Sequence, residues 1–152
     1  MTETRLHEAI DAIVAALQGA SDLTVRDGPI VSGDVGDAIY IGYDGRYEEY
    51  EEAAATGQQK WAGIGQKARD ETLQITCAAV AYTGNDLTLW KPVRDTVFAM
   101  LDTVGEVLRD DPSLGLPPPA VAELWPGDYW QEPIPNGAQA RLVFQIHLAT
   151  RV

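Results

Sequence analysis

The sequence predicts an α+β fold, in which a mainly antiparallel sheet of about five strands carries two helices on one face. Two segments repeat apolar residues every three or four positions, and several others alternate apolar and polar residues. The predicted order is helix, two strands, strand, helix, two strands, with a long loop between the second and third strands. At 152 residues the chain fits one domain over 1–152.

The first helix is predicted from one apolar stripe. Thr2 or Thr4 is placed to cap its start, and Gly19 is placed as a left-handed residue at its end. The stripe consists of Leu6, Ile10, Ile13, Val14 and Leu17.

Two short strands follow. The first is predicted over 23–26 and ends at the turn signal Asp27-Gly28-Pro29. The second is predicted over 37–43 by alternation and ends at Asp44-Gly45.

The third strand, over 72–82, has the clearest period of two. Cys77 falls on its covered face, so we expect a small buried hydrophobic residue rather than a nucleophile.

The second helix is predicted to begin near Thr88, which serves as its cap, and to stop at Asp110-Asp111-Pro112. Pro92 is compatible with this, because the first turn of a helix tolerates proline. Three consecutive prolines make 113–119 a stiff connector.

Two last strands are predicted, over 120–131 with an interruption at Pro126-Gly127, and over 138–150. The turn signal Pro135-Asn136-Gly137 between them indicates a hairpin. His147 falls on the polar face of the final strand.

Charge and composition limit the functional classes. The chain has 23 acidic and 11 basic residues, for a formal net charge of −12. Nucleic-acid surfaces need positive charge, so specific DNA or RNA binding and attraction to anionic membranes are disfavoured, whereas a basic partner fits. A single cysteine allows no internal disulfide, and we see neither a signal peptide nor a membrane-spanning run. We therefore expect a soluble protein in a cytosol-like compartment.

The stretch "YDGRYEEYEEAAATGQQKWAGIGQKARDE" contains the strongest charge pattern. A connection of nearly thirty residues is usually functional, so we interpret 44–71 as a projecting hairpin arm that contacts a partner or a neighbouring subunit. Its outgoing side is acidic and its return is basic, and these charges can pair within the arm or between subunits. The contact residues are Glu48, Glu49, Glu51, Glu52, Lys60, Trp61, Lys67 and Arg69.

Catalytic motifs are not recognisable. The chain has no paired Cys and His at zinc spacing, and the glutamate cluster lacks the Asp, Gly and Glu pattern of a calcium loop. Neither a nucleophile elbow nor a phosphate-binding loop is present. We expect no catalytic residue, no metal and no cofactor. A carboxylate-dependent enzyme that uses the glutamates at 48–52 is the less favoured alternative.

Three tryptophans lie in irregular segments. Trp61, Trp125 and Trp130 either form interface contacts or fold back over the edge of the core, and the sequence leaves both open.

The order of four motifs resembles the tail terminator proteins of long-tailed, siphovirus-type phages of actinobacteria. After the capped first helix come "DAIYIGYDG", "WAGIGQKARDETLQITCAAVAYTGNDL", "VRDTVFAMLDTVGEVLRDDPSLG" and "GAQARLVFQIHLATRV". The resemblance covers most of the chain, except the acidic segment and the region of Trp125 and Trp130.

The resemblance implies a structural virion protein rather than an enzyme, assembled in the host cytoplasm as a homohexameric ring. Such a ring caps the tail tube, stops its polymerisation, and joins the tail to the connector on the head. DNA only passes through its lumen. The alternative is a head–tail connector or stopper at the neck, since neck proteins share sizes and folds.

Overall fold

The computed structural model describes residues 2–20, 22–29, 36–46, 53–65, 67–84, 90–134 and 137–152. It confirms the α+β class. The described residues form two helices and six strands, which are α1 (Leu6–Ala20), β1 (Val25–Asp27), β2 (Ala38–Ile41), β3 (Ala55–Trp61), β4 (Arg69–Thr83), α2 (Trp90–Asp110), β5 (Val121–Ile134) and β6 (Gly137–Arg151).

The strands form one mainly antiparallel sheet. Its order is β1-β2-β4-β6-β5, with β3 also paired to β4. Only the short β1 runs parallel to its neighbour, whereas the long strands β4, β5 and β6 are antiparallel.

Both helices pack on one face of the sheet, as the sequence predicts. The apolar stripe of α1 and the buried residues of α2 form one core with the inward side chains of the sheet. Leu73, Ile75 and Cys77 of β4 lie directly opposite Leu148, Ile146 and Phe144 of β6, and all six are fully buried. We call this the helix face of the sheet and the opposite side the far face.

The ends of the helices agree with the sequence in part. The backbone N–H of Leu6 donates to Oγ1 of Thr4, so Thr4 is a cap of α1. Gly19 is not the left-handed end residue that was expected, because α1 continues through it to Ala20. The helix α2 ends at Asp110 as predicted and holds Pro92 in its first turn. The expected cap Thr88 lies outside the described residues.

The predicted loop between the second and third strands was wrong in one respect. It contains a further strand, β3, and β4 begins at Arg69 rather than Thr72. Both β2 and β3 pair antiparallel with β4, β2 along 77–80 and β3 along 69–75. β2 and β3 therefore lie end to end along the same side of β4. β3 is at the edge of the sheet there, whereas β1 pairs with the other side of β2.

A smaller apolar cluster lies on the far face. It contains Ala38, Tyr40, Ala78 and Val80, with Tyr43 and Tyr82 packed against it. Residues 42–46 pass over this cluster. Gly45 has a φ of 76°, and a Cβ there would lie 2.8 Å from Cγ2 of Val80, so only glycine fits this approach to the sheet.

Candidate functional site

The β3–β4 hairpin projects past the end of the sheet. Trp61 pairs with Arg69, and the N–H of Ala62 donates to the carbonyl of Ala68, which closes the hairpin beyond the strands. The backbone of Arg69 also exchanges both hydrogen bonds with Val152. The strand β6 ends at Arg151, opposite Asp70, so the described residues 62–65, 67 and 68 extend beyond this neighbouring strand. We call residues 60–65, 67 and 68 the hairpin tip.

The hairpin tip exposes large apolar side chains. Trp61 is 67% exposed and Ile64 is fully exposed. Gly65, with a φ of 78°, turns the chain beside Ile64. Exposed apolar area of this kind on a projecting turn favours a contact with another surface.

The basic residues of the arm lie on both of its strands. Lys60 is on the outgoing strand β3 rather than on the return, which corrects the expected arrangement, while Lys67 and Arg69 are on the return. Arg69 pairs with Glu3 at 3.3 Å, an acid outside the arm. Among the described residues, Lys60 and Lys67 form no ion pair and are exposed.

The predicted acidic contacts cannot be placed beside these lysines. Glu48, Glu49, Glu51 and Glu52 lie outside the described residues, between Arg46 and Ala53. The expected charge pairing within the arm stays a prediction.

Trp125 and Trp130 share the far face of the sheet. Their direct partners on β6 are Gln145 and Arg141, which both point away from the helices. The tryptophans are 52% and 45% exposed, so they do not fold back over the core. They form a second exposed surface, the aromatic face, on the side of the sheet opposite to Trp61.

Trp125 stacks on the imidazole of His147. The ring centroids are 4.1 Å apart and the planes differ by 1°. Glu123 lies opposite His147 across the strands and accepts a hydrogen bond of 3.3 Å from Nε1 of Trp125. Burial under the indole lowers the pKa of His147 from its usual 6.5, and the charge of Glu123 opposes this only in part.

A buried charged cluster supports Trp130. The guanidinium of Arg141 lies 5.5 Å from the centre of the Trp130 ring, a cation–π contact. Its Nε donates to Glu132 at 2.7 Å, and its Nη1 donates to the carbonyl of Asp44 at 2.9 Å. Arg141 and Asp44 are each 4% exposed. The cluster fixes residues 42–46 on the far face, at the point where the acidic segment begins.

Metal-ligand clusters and the single thiol are the other candidate chemical groups among the described residues. No group of three or more His, Cys, Asp or Glu among them is arranged to hold a metal ion. Cys77 is buried on the helix face, and burial raises the pKa of its thiol to about 12, so it behaves as the hydrophobic residue that was expected. Neither α1 nor α2 is long and apolar enough to span a bilayer over its described residues.

Some neighbours of the aromatic face could not be found from the sequence. The sequence indicates no acid beside His147, but Glu123 lies across from it because of the β5–β6 register. The partnership of Asp44 and Arg141 joins residues 97 positions apart. Only an established strand pairing reveals such neighbours.

Comparison with known proteins adds no family. No protein-family model matches this chain, and no curated protein matches it.

Proposed function

We propose that this chain is a structural subunit of a phage tail, of the tail-terminator kind. In this role, copies of the chain form a homohexameric ring in the virion that binds the last ring of tail-tube protein. The opposite side of the ring receives the head–tail connector. The ring ends polymerisation of the tube.

The observation that carries the proposal is the presence of two separate exposed contact surfaces. The hairpin tip extends beyond the sheet, and the aromatic face lies on the side away from the helices. A ring subunit needs one contact with its lateral neighbour and another with the tube or the connector. We assign one contact to each surface, because the two surfaces lie at different places on one sheet.

The four motifs behind the resemblance coincide with parts of the fold. They correspond to β2 with its turn, the end of the β3–β4 hairpin with β4, the helix α2 with its exit, and β6. The resemblance therefore concerns the frame of the domain. The net charge of −12 also suits a channel for DNA, since like charges repel.

Purified protein tests the proposal directly. Mixed with tail-tube subunit, it should give six-fold rings at tube ends in electron micrographs and tubes of limited length. A strict monomer that never associates with tube protein contradicts the proposal.

The position in the virion distinguishes the terminator from the neck alternative. A labelled terminator purifies with isolated tails, whereas a stopper purifies with filled heads. If the label is found only on heads, the protein is a head–tail connector and not a terminator.

A further inference from the structure

The hairpin tip has the chemistry of a ligand for an acidic, partly apolar groove. It combines two exposed apolar side chains, Trp61 and Ile64, with two lysines that form no ion pair among the described residues. Most other basic side chains of the chain are already paired. Lys91 holds Asp95, for example, and Arg151 holds Asp70. The tip is thus the place where available positive charge and exposed apolar area coincide.

A groove with the complementary features lies between the two helices. It has a volume of about 380 Å³. Its apolar lining comes from the small side chains of Ala15 and Ala16 on α1 and from Val107 on α2. Its acidic lining comes from Glu106, Asp110 and Asp111, which are all exposed.

The tip and the groove lie at different ends of α1. The residues just before α1 contact the hairpin, since Glu3 accepts from Gln59 of β3 and pairs with Arg69 of β4. The groove begins at Ala15, about ten residues further along the helix, or roughly 15 Å. Contact between the tip of one copy and the groove of the next therefore joins two different surfaces, which is the head-to-tail arrangement that generates rings.

We infer that the hairpin tip of one copy docks in the groove between α1 and α2 of a neighbouring copy. Trp61 and Ile64 cover the alanines and Val107, while Lys60 and Lys67 face Glu106, Asp110 and Asp111. This inference rests on the self-assembly in the proposed function and names the contact that produces it. A second copy is the fitting partner, because it presents the acidic groove at the same concentration as the tip.

Disulfide trapping tests the contact in the intact chain. The native Cys77 is buried, so new surface cysteines report only on the designed pair. Protein carrying Ile64→Cys is mixed with protein carrying Ala15→Cys under mild oxidation, and covalent dimers are measured by intact mass. We expect dimers of mixed composition as the main product. Ile64→Cys mixed with Val121→Cys, an exposed position on β5, is the matched control and should give few.

Two outcomes of the trapping overturn the inference. One is a mixture without dimers of mixed composition. The other is an equal yield from Ile64→Cys alone, because tip-to-tip contact would then explain the trapping.

Charge exchange provides an independent measurement. Lys60→Glu with Lys67→Glu should weaken association at least tenfold in sedimentation velocity, and so should Glu106→Lys with Asp110→Lys. Mixing the two double variants restores opposite charges across the interface and should restore association. Failure of the mixture to associate, while both variants remain folded, contradicts the docking.

These results are separable from the proposed function. If tip-to-groove dimers are trapped but the protein does not arrest tube growth, the contact is supported and the terminator role is contradicted. If the protein arrests tube growth but no such dimers are trapped, the terminator role is supported and the tip-to-groove contact is contradicted.

Discussion

The pKa of His147 is set by its neighbours on the aromatic face. Its imidazole lies flat under Trp125 and faces Glu123 across the strands, and its Nε2 lies 2.9 Å from Oε1 of Gln145, within hydrogen-bond distance. The indole removes water from one side of the ring, which lowers the pKa, while the negative charge of Glu123 raises it. Desolvation prevails, and the pKa of His147 is lowered.

This arrangement predicts a stability that depends on pH. Because the folded pKa lies below 6.5, the unfolded chain binds the proton first, and stability should fall as pH drops from about 6.5 through the folded pKa. His147→Gln should remove this slope. At neutral pH the substitution should lower the free energy of unfolding by about 0.5–1.5 kcal/mol, because the ring stack is lost. Denaturant unfolding at several pH values measures both.

The other histidine supplies the control. His7 is exposed on α1, and His7→Gln should retain the slope of the native protein. An unchanged slope in His147→Gln contradicts the assignment.

At the scale of elements, a bulge in β5 creates the aromatic face. Trp125 and Trp130 are five positions apart, so a regular strand would place them on opposite faces. Between Pro126 and Tyr129 the register shifts by one residue, and this returns both indoles to the far face. Pro126, Pro133 and the bulge also protect this edge strand from pairing with other chains.

Gly127 is required by the bulge. A Cβ there would lie 2.6 Å from the backbone carbonyl oxygen of Val143, and backbone cannot yield as a side chain can. Gly127→Ala should destabilise the protein by about 1–3 kcal/mol and alter tryptophan emission, because the β5–β6 pairing must shift. Thermal unfolding and fluorescence measure the two effects.

A glycine in open space is the comparison for this change. Gly84 has no atom within 4 Å of a built Cβ, so Gly84→Ala should be close to neutral. Equal effects of the two substitutions exclude the proposed clash.

The elements that the sequence predicts are those with one buried face. In the strands β4 and β6 every second side chain enters the core, and in the helix α2 every third or fourth side chain does. Their sequences therefore show clear periods. β3 reads ATGQQKW and has no such period, because six of its seven residues are exposed. Its pairing depends on β4 and not on its own pattern, so the sequence predicts a loop there.

The candidate site was predictable in composition but not in geometry. The sequence identifies Trp61, Trp125 and Trp130 as aromatic residues outside regular core positions. The face on which each lies depends on the register and on the bulge, which the sequence of one strand does not contain. Trp61 lies on the helix face, away from the other two, so the expected interface residues belong to two surfaces.

At the scale of the whole molecule, Glu71 ties the beginning of the chain to the hairpin. Its carboxylate is 2% exposed and accepts hydrogen bonds from the hydroxyl of Thr4, the backbone N–H of Arg5 and the amide of Gln59. Burial alone would raise the pKa of Glu71, but these bonds, with the charge of Arg69, lower it from its usual 4.5.

Glu71→Gln tests this junction. The substitution replaces an acceptor oxygen by an amide nitrogen that faces other donors. We therefore expect the free energy of unfolding to fall by about 1–3 kcal/mol. In the native protein the contribution of Glu71 is present above about pH 4.5 and is lost as pH falls through its lowered pKa. The variant should lack that loss. Hydrogen exchange should also become faster in β3.

An exposed acid provides the reference for Glu71. Asp95 pairs with Lys91 on the surface of α2, and Asp95→Asn should change stability by less than about 1 kcal/mol. A loss as large as that of Glu71→Gln would mean that removal of any negative charge has this effect.

The end-to-end arrangement of β2 and β3 beside β4 has a consequence for engineering. β2 and β3 are each held in register by β4, and the Arg141 cluster holds residues 42–46. The frame on both sides of 47–52 is therefore fixed independently of what joins it. A foreign peptide epitope grafted in place of 47–52 should leave the sheet intact, which makes this position a display site on the subunit.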